Sequence, residues 1–147
     1  MVRLEETIVV EKPIDRAFEY ASHWENIATW DPGTAAATKT FEGPPHVGGV
    51  YDLEVLFMGR TSSMTYTITD MHHPTRLVVK GTGRTVDAVD TLTFLALDEN
   101  STEIHYIADL TFKGLARFLE PALRPSLDKL GKRAVRGLAT HLSVSTA

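Results

Sequence analysis

Cysteine is absent from the 147 residues. Its absence excludes disulfides, thiolate nucleophiles and thiolate-ligated metals, along with the small secreted folds that depend on a disulfide framework. Long apolar runs are missing too, since no stretch approaches the ~20 residues of a membrane-spanning helix. Met1 to Val10 alternates acidic and apolar residues and lacks the basic start and apolar centre of a signal peptide. The expectation is a soluble, unprocessed, cytoplasmic protein. Six histidines are scattered along the chain, with no His-Glu-x-x-His spacing, and the adjacent His72 and His73 would point to opposite faces of a strand. No metal is therefore expected. Gly81-x-Gly83 leads into a strand pattern rather than a helix, so it does not read as a phosphate loop, and Ser62, Ser63 and Ser126 lack a strand-to-helix nucleophile elbow. With neither signature present, no cofactor is expected.

The composition, 43% hydrophobic and 23% charged, is that of one ordinary globular domain spanning 1–147. A chain of this length buries roughly 70% of its unfolded surface. The net charge of -4 is unevenly spread: residues 113–137 carry seven Lys or Arg against two acids, leaving seventeen acids against eight bases elsewhere. Such a basic segment reads either as the solvated face of a helix or as a weak attraction to anionic lipid, amounting at most to loose peripheral membrane contact. Nucleic acid is not expected, because no aromatic-studded basic sheet, zinc-finger spacing or recognition-helix pattern is present.

Residues 3–11 alternate and are rich in β-branched side chains, which predicts a first strand closed by Lys12-Pro13. Pro13 suits the first turn of a helix whose apolar stripe is Ile14, Ala17, Phe18 and Ala21. A second short helix is expected over 22–30, with Trp24, Ile27 and Ala28 on one side, ended by the turn Asp31-Pro32-Gly33. Six further strands follow, at 34–42, 50–58, 62–72, 76–81, 85–97 and 102–112, separated by Gly, Pro, Asn and Asp clusters that include Gly81-Thr82-Gly83. From about Phe118 the spacing becomes helical, with Leu119, Leu123, Leu127, Leu130, Ala134, Leu138 and Leu142 in one row. Pro125 predicts a break or kink near Arg124.

Alternation assigns the faces of the strands. Tyr51, Leu53, Val55 and Phe57 point inward, as do Met64, Tyr66 and Ile68, and Ile104, Tyr106, Ala108, Leu110 and Phe112. For 85–97 two frames compete, and the one that buries Val86, Ala88, Asp90, Leu92 and Phe94 is preferred. One helix about 10 Å across cannot cover the apolar face of seven strands spaced about 4.8 Å apart. Two outcomes are open: large side chains such as Phe57, Phe94 and Phe112 fill the remainder, or a ligand-sized cavity is left. Gly131 and Ala134, small residues on the inward side of the helix, favour the second.

The inward polar groups are few: Tyr51, Tyr66, Asp90 and Tyr106. Each needs a partner if buried, and Asp90 would bond a neighbouring hydroxyl or Arg84. Alternatively, these groups orient the polar end of a ligand. Candidate ligand-contacting residues are Trp30 at the mouth, Tyr51, Val55, Phe57, Tyr66, Asp90, Leu92, Tyr106, Leu127, Gly131 and Ala134. Asp90, Tyr66 and Tyr106 are also the candidate acid/base groups.

The order strand, two helices, six strands, long helix is that of the helix-grip fold, an α+β architecture in which a seven-stranded curved antiparallel sheet wraps a C-terminal helix. Specific segments match as well. They are Thr7-Ile8-Val9-Val10-Glu11-Lys12-Pro13 followed by Ala17-Phe18, then Trp30-Asp31-Pro32-Gly33 and Val47-Gly48-Gly49. Further along come Tyr66-Thr67-Ile68 before His73-Pro74-Thr75-Arg76-Leu77, the run from Ala88 to Phe94, and Ser101-Thr102-Glu103-Ile104. In these segments the chain resembles the START-like (SRPBCC) superfamily, which contains birch-allergen-type proteins and bacterial polyketide cyclase/dehydrase-like proteins. That resemblance implies an internal site for lipids, polyketides or other hydrophobic small molecules and does not imply one activity. Three functions follow as expectations: a carrier of a hydrophobic small molecule, a cofactor-independent polyketide cyclase or dehydratase, and a regulatory module using the basic helix. A monomer or a homodimer is equally compatible.

Overall fold

In the computed structural model, which describes residues 1–57 and 59–144, strands and helices follow the order the sequence predicts. Strand β1 (Val2–Val10) leads to helix α1 (Ile14–Ser22), a 3-10 turn (Trp24–Asn26) and the four-residue helix α2 (Ile27–Trp30). The strands β2 (Thr34–Lys39), β3 (Val50–Phe57), β4 (Arg60–His72), β5 (Arg76–Gly83), β6 (Val86–Asp98) and β7 (Ser101–Phe112) come next. A 3-10 segment (Gly114–Leu119) then enters the long helix α3 (Glu120–Val144). The expected strand end at Met58 lies outside the described residues.

All seven strands form one antiparallel sheet in the order β1-β7-β6-β5-β4-β3-β2, so the first strand closes onto the last. Register fixes the inner face. Leu4, Ala108 and Asp90 lie side by side across β1, β7 and β6, as do Glu6, Tyr106 and Leu92. This is the frame preferred from alternation, in which Ala88, Asp90, Leu92 and Phe94 are buried. Helix α3 packs on β1, β7 and α2, and its side chains Leu127, Ala134, Val135, Leu138 and Leu142 are buried. Phe18 of α1 meets His73 and Phe94 edge-on, at 5.0 and 5.2 Å between ring centres, and fills one end of the sheet's concave face.

Four expectations are corrected. The second helix is split, because the chain turns through a 3-10 step at Trp24–Asn26, and the rotation leaves Ala28 exposed rather than beside Trp24 and Ile27. Gly81-Thr82-Gly83 is not a turn but the end of β5. A Cβ at Gly81 would come within 2.5 Å of the Tyr66 ring, so glycine there lets that ring lie flat against the neighbouring strand. Helix α3 starts at Glu120, leaving Leu115, Phe118 and Leu119 exposed in the preceding 3-10 segment. Finally, α3 is not broken at Pro125, which lies near its start, where it removes the bond to the Pro121 carbonyl.

Candidate functional site

Between the middle of α3, the β3–β4 hairpin and the inner faces of β6, β7 and β1 lies a cavity of about 490 Å³. Its walls are apolar: Leu4, Val55, Met64, Ala88, Ala108 and Leu127 are among the residues that form them. The cavity exists for the reason inferred from the sheet's width. Here α3 presents Gly131 and Ala134 to the space, and the strands opposite present Ala88 and Ala108. The rim is exposed and is formed in part by Leu56, Arg60, Thr61 and Thr85 at hairpin ends.

The inner end is polar. Asp90 on β6 is 4% exposed, and the Tyr106 hydroxyl of β7 donates to its Oδ2 at 2.5 Å. No other hydrogen bond to the Asp90 carboxyl is found among the described residues; Arg84, the alternative partner, is exposed. Burial raises the Asp90 carboxyl to about 7; the Tyr106 bond opposes this, and the charges of Asp31 and Asp109 add to it. Loss of water, followed by the nearby Asp90 charge, pushes both the Tyr66 and the Tyr106 phenols well above the usual tyrosine range. Among the described residues the Tyr66 hydroxyl reaches only the Met64 sulfur, at 4.0 Å.

Two further acids line the cavity, and they were not among the expected site residues. Asp31 follows α2, where its Oδ1 accepts from the Gly33 N–H (2.8 Å) and its Oδ2 from the Thr34 hydroxyl (2.9 Å). Burial raises its carboxyl, and those two donors oppose the rise. In the sequence it read only as a turn former, because a local Asx bond accounts for an aspartate before Pro-Gly. Glu6 stands opposite Tyr106 in the β1–β7 register. Its position in the row Val2, Leu4, Glu6, Ile8, Val10 already carried the signal.

Of the expected ligand-contacting residues, Val55, Phe57, Tyr66, Asp90, Tyr106, Leu127, Gly131 and Ala134 line the cavity. Trp30, Tyr51 and Leu92 do not. Trp30 is buried edge-on between Trp24 and Tyr106, 6.1 Å from each ring centre, so it backs the cavity wall instead of guarding a mouth. Tyr51 and Leu92 are fully buried, Tyr51 beside the 3-10 turn at Trp24–Asn26, and burial lifts the Tyr51 phenol to about 12. A larger side chain at Ala108, which lies between Leu4 and Asp90 in the register, would occupy the cavity. Ala108→Leu is therefore expected to keep or raise thermal stability while weakening binding of an apolar probe at least tenfold, measured by melting and by titration.

The family described as polyketide cyclase / dehydrase and lipid transport matches residues 1–143. Among curated proteins none matches the sequence. Among solved structures, the Zhui aromatase/cyclase of Streptomyces sp. R1128 superposes with a TM-score of 0.75 at 17% identity, over 97% of this chain and 91% of that one. A protein of Thermus thermophilus gives 0.78 at 11% identity, over 99% and 100%. A START superfamily protein of Mycobacterium smegmatis gives 0.73 at 16% identity, over 96% and 94%. At these identities the likeness is one of fold. Among the described residues no helix is long and apolar enough to cross a membrane.

Proposed function

From the premise that this chain belongs to the polyketide cyclase/dehydrase and lipid transport family, we propose that it binds a hydrophobic small molecule in the cavity, its polar end held at Asp90 and Tyr106. Family and fold support hydrophobic-ligand binding or a cyclase role; the carrier reading is the finer claim made here. One observation carries it: an apolar space of about 490 Å³ ends in a short list of converging polar groups, the usual composition of a small-molecule site. The neutral fluorophore N-phenyl-1-naphthylamine tests it. Saturable binding near one site per chain is expected with the native protein, abolished or weakened by Ala108→Leu. A natively folded sample with no saturable binding of this probe would overturn the reading.

A second reading is favoured by the raised Asp90 carboxyl. An acid near 7, hydrogen-bonded to a phenol inside an apolar cavity, is poised to take and return a proton at neutral pH, as a cyclase or dehydratase acting on a polyketide-like substrate requires. Turnover of such a substrate that disappears in Asp90→Asn, with binding retained, would select this reading over the carrier.

A further inference from the structure

The inner end of the cavity holds acidic side chains and no basic one among the described residues. Three carboxyl side chains line the cavity from three elements: Glu6 on β1, Asp31 after α2 and Asp90 on β6, with Asp31 near enough to Asp90 to act on it. Tyr66 of β4 and Tyr106 of β7 face them, and the α3 residues that complete the wall carry no charge. Asp109 of β7 adds another negative charge from outside the cavity, where Arg3 holds it at 2.7 Å. Arg60 is the single cation lining the space among the described residues, and it is exposed at the rim.

The carboxyl groups are not equally engaged. Both Asp31 oxygens already accept hydrogen bonds from the turn. Asp90, although 4% exposed, has one oxygen bonded by Tyr106 and the other without a donor among the described residues. A buried acceptor left open toward a cavity calls for a donor from whatever enters.

We propose that the hydrophobic molecule taken by this cavity is an amine, an apolar body ending in a protonated nitrogen, and not a fatty acid or other carboxylate. This rests on the ligand-site reading above and names its chemical class. An ammonium group offers several N–H donors and no acceptor, matching the open Asp90 oxygen, while Glu6 adds a second acidic side chain to the same cavity. A carboxylate head in the same place would lose its water among like charges, with no cation to meet it. A neutral alcohol can donate one hydrogen bond and suffers no such repulsion. Because the cation binds the ionised acid, amine affinity rises from pH 6 to pH 8 as Asp90 releases its proton, whereas a carboxylate gains nothing over that range.

Displacement of N-phenyl-1-naphthylamine from the full chain at pH 7.5 by dodecylamine, dodecanol and dodecanoate separates the cases. Dodecylamine is expected to displace the probe at a concentration at least tenfold lower than dodecanoate, with dodecanol between them. Asp90→Asn should weaken dodecylamine at least tenfold and shift dodecanol less than twofold. Glu6→Gln, on an edge strand, provides a second variant with an expected loss of about threefold for the amine alone. Dodecanoate binding as tightly as dodecylamine, or an amine affinity unmoved in both variants, overturns the amine assignment while leaving the ligand site intact. Failure of the probe and of all three chains to bind removes the site itself, and the assignment with it.

Discussion

Asp90→Asn raises the stability of the ligand-free protein at pH 8 by on the order of 2 kcal/mol and flattens its pH dependence between about 4 and 7. The Asp90 carboxyl titrates at about 7 in the folded chain, against 3.8 when unperturbed, chiefly because burial removes its water. Below about pH 4 both states hold the proton and the group contributes no difference. From there to about 7 the unfolded chain releases the proton and the folded chain keeps it, so stability falls as pH rises, by up to ~1.4 kcal/mol per pH unit and by about 4 kcal/mol in all. Asparagine has no proton to lose, and its carbonyl oxygen still accepts from Tyr106. Its amide, placed where the open oxygen stood, costs about 1–2 kcal/mol for want of an acceptor, which reduces the net gain. Urea melts of both proteins at pH 4.5 and pH 8 measure the effect. Parallel stability curves would show that the proton on Asp90 does not distinguish the two states.

Gly137→Ala is expected to destabilise the protein by about 3 kcal/mol. Elsewhere in a helix this change is favourable by about 1 kcal/mol, because alanine loses less backbone freedom on folding. Here a Cβ would stand 1.9 Å from the Trp30 carbonyl oxygen and 2.9 Å from its carbon, both backbone atoms at the end of α2. They cannot retreat without shifting Asp31, the next residue, out of the cavity wall. Alanine at Gly131 offers the contrast, since its Cβ would meet only the Leu4 side chain, at 3.3 Å, which can rotate aside. Chemical denaturation of the two variants, with probe titration of whatever remains folded, compares them. Gly137→Ala as stable as the parent would mean that α3 does not pass so close to α2.

How far the sequence reveals this molecule depends on the range of the forces involved. The seven strands were legible because each buries one face, and a period of two survives any tertiary context; the strand holding Asp90 was placed in its frame on that ground. Alternation thus puts Asp90 and Tyr106 on the inner face, while leaving open whether Asp90 bonds a hydroxyl or Arg84, which the structure decides for Tyr106. The break at Trp24–Asn26 was not legible, since 3-10 and α-helical turns share the same local residue preferences. Gly81 misled because glycine in a strand end looks like a turn, and what demands it there is the Tyr66 ring from another strand. Trp30, Tyr51 and Leu92 show the limit for the site. Alternation and size separate inside from outside, but they cannot tell a core position from a cavity wall. That distinction depends on how far along each strand the short helices and α3 reach.

The pairing of β1 with β7 has a consequence for how the chain comes to its shape. Val2 lies opposite Leu110 and Val10 opposite Thr102, so the first strand finds its partner about a hundred residues later. During synthesis at about 5–20 residues per second, β1 waits roughly 5 to 20 s before β7 exists. Meanwhile the hairpins from β2 to β6 can zip locally, each closing a short loop. Closing the long loop is the step with the largest chain-entropy cost, which places this fold among the slower folders of its size, in the range of about milliseconds to seconds. Glu6, Tyr106 and the middle of α3 come together only at that step. A nascent chain therefore has no cavity to fill, and the space beside Asp90 and Tyr106 exists only once β1 has paired with β7.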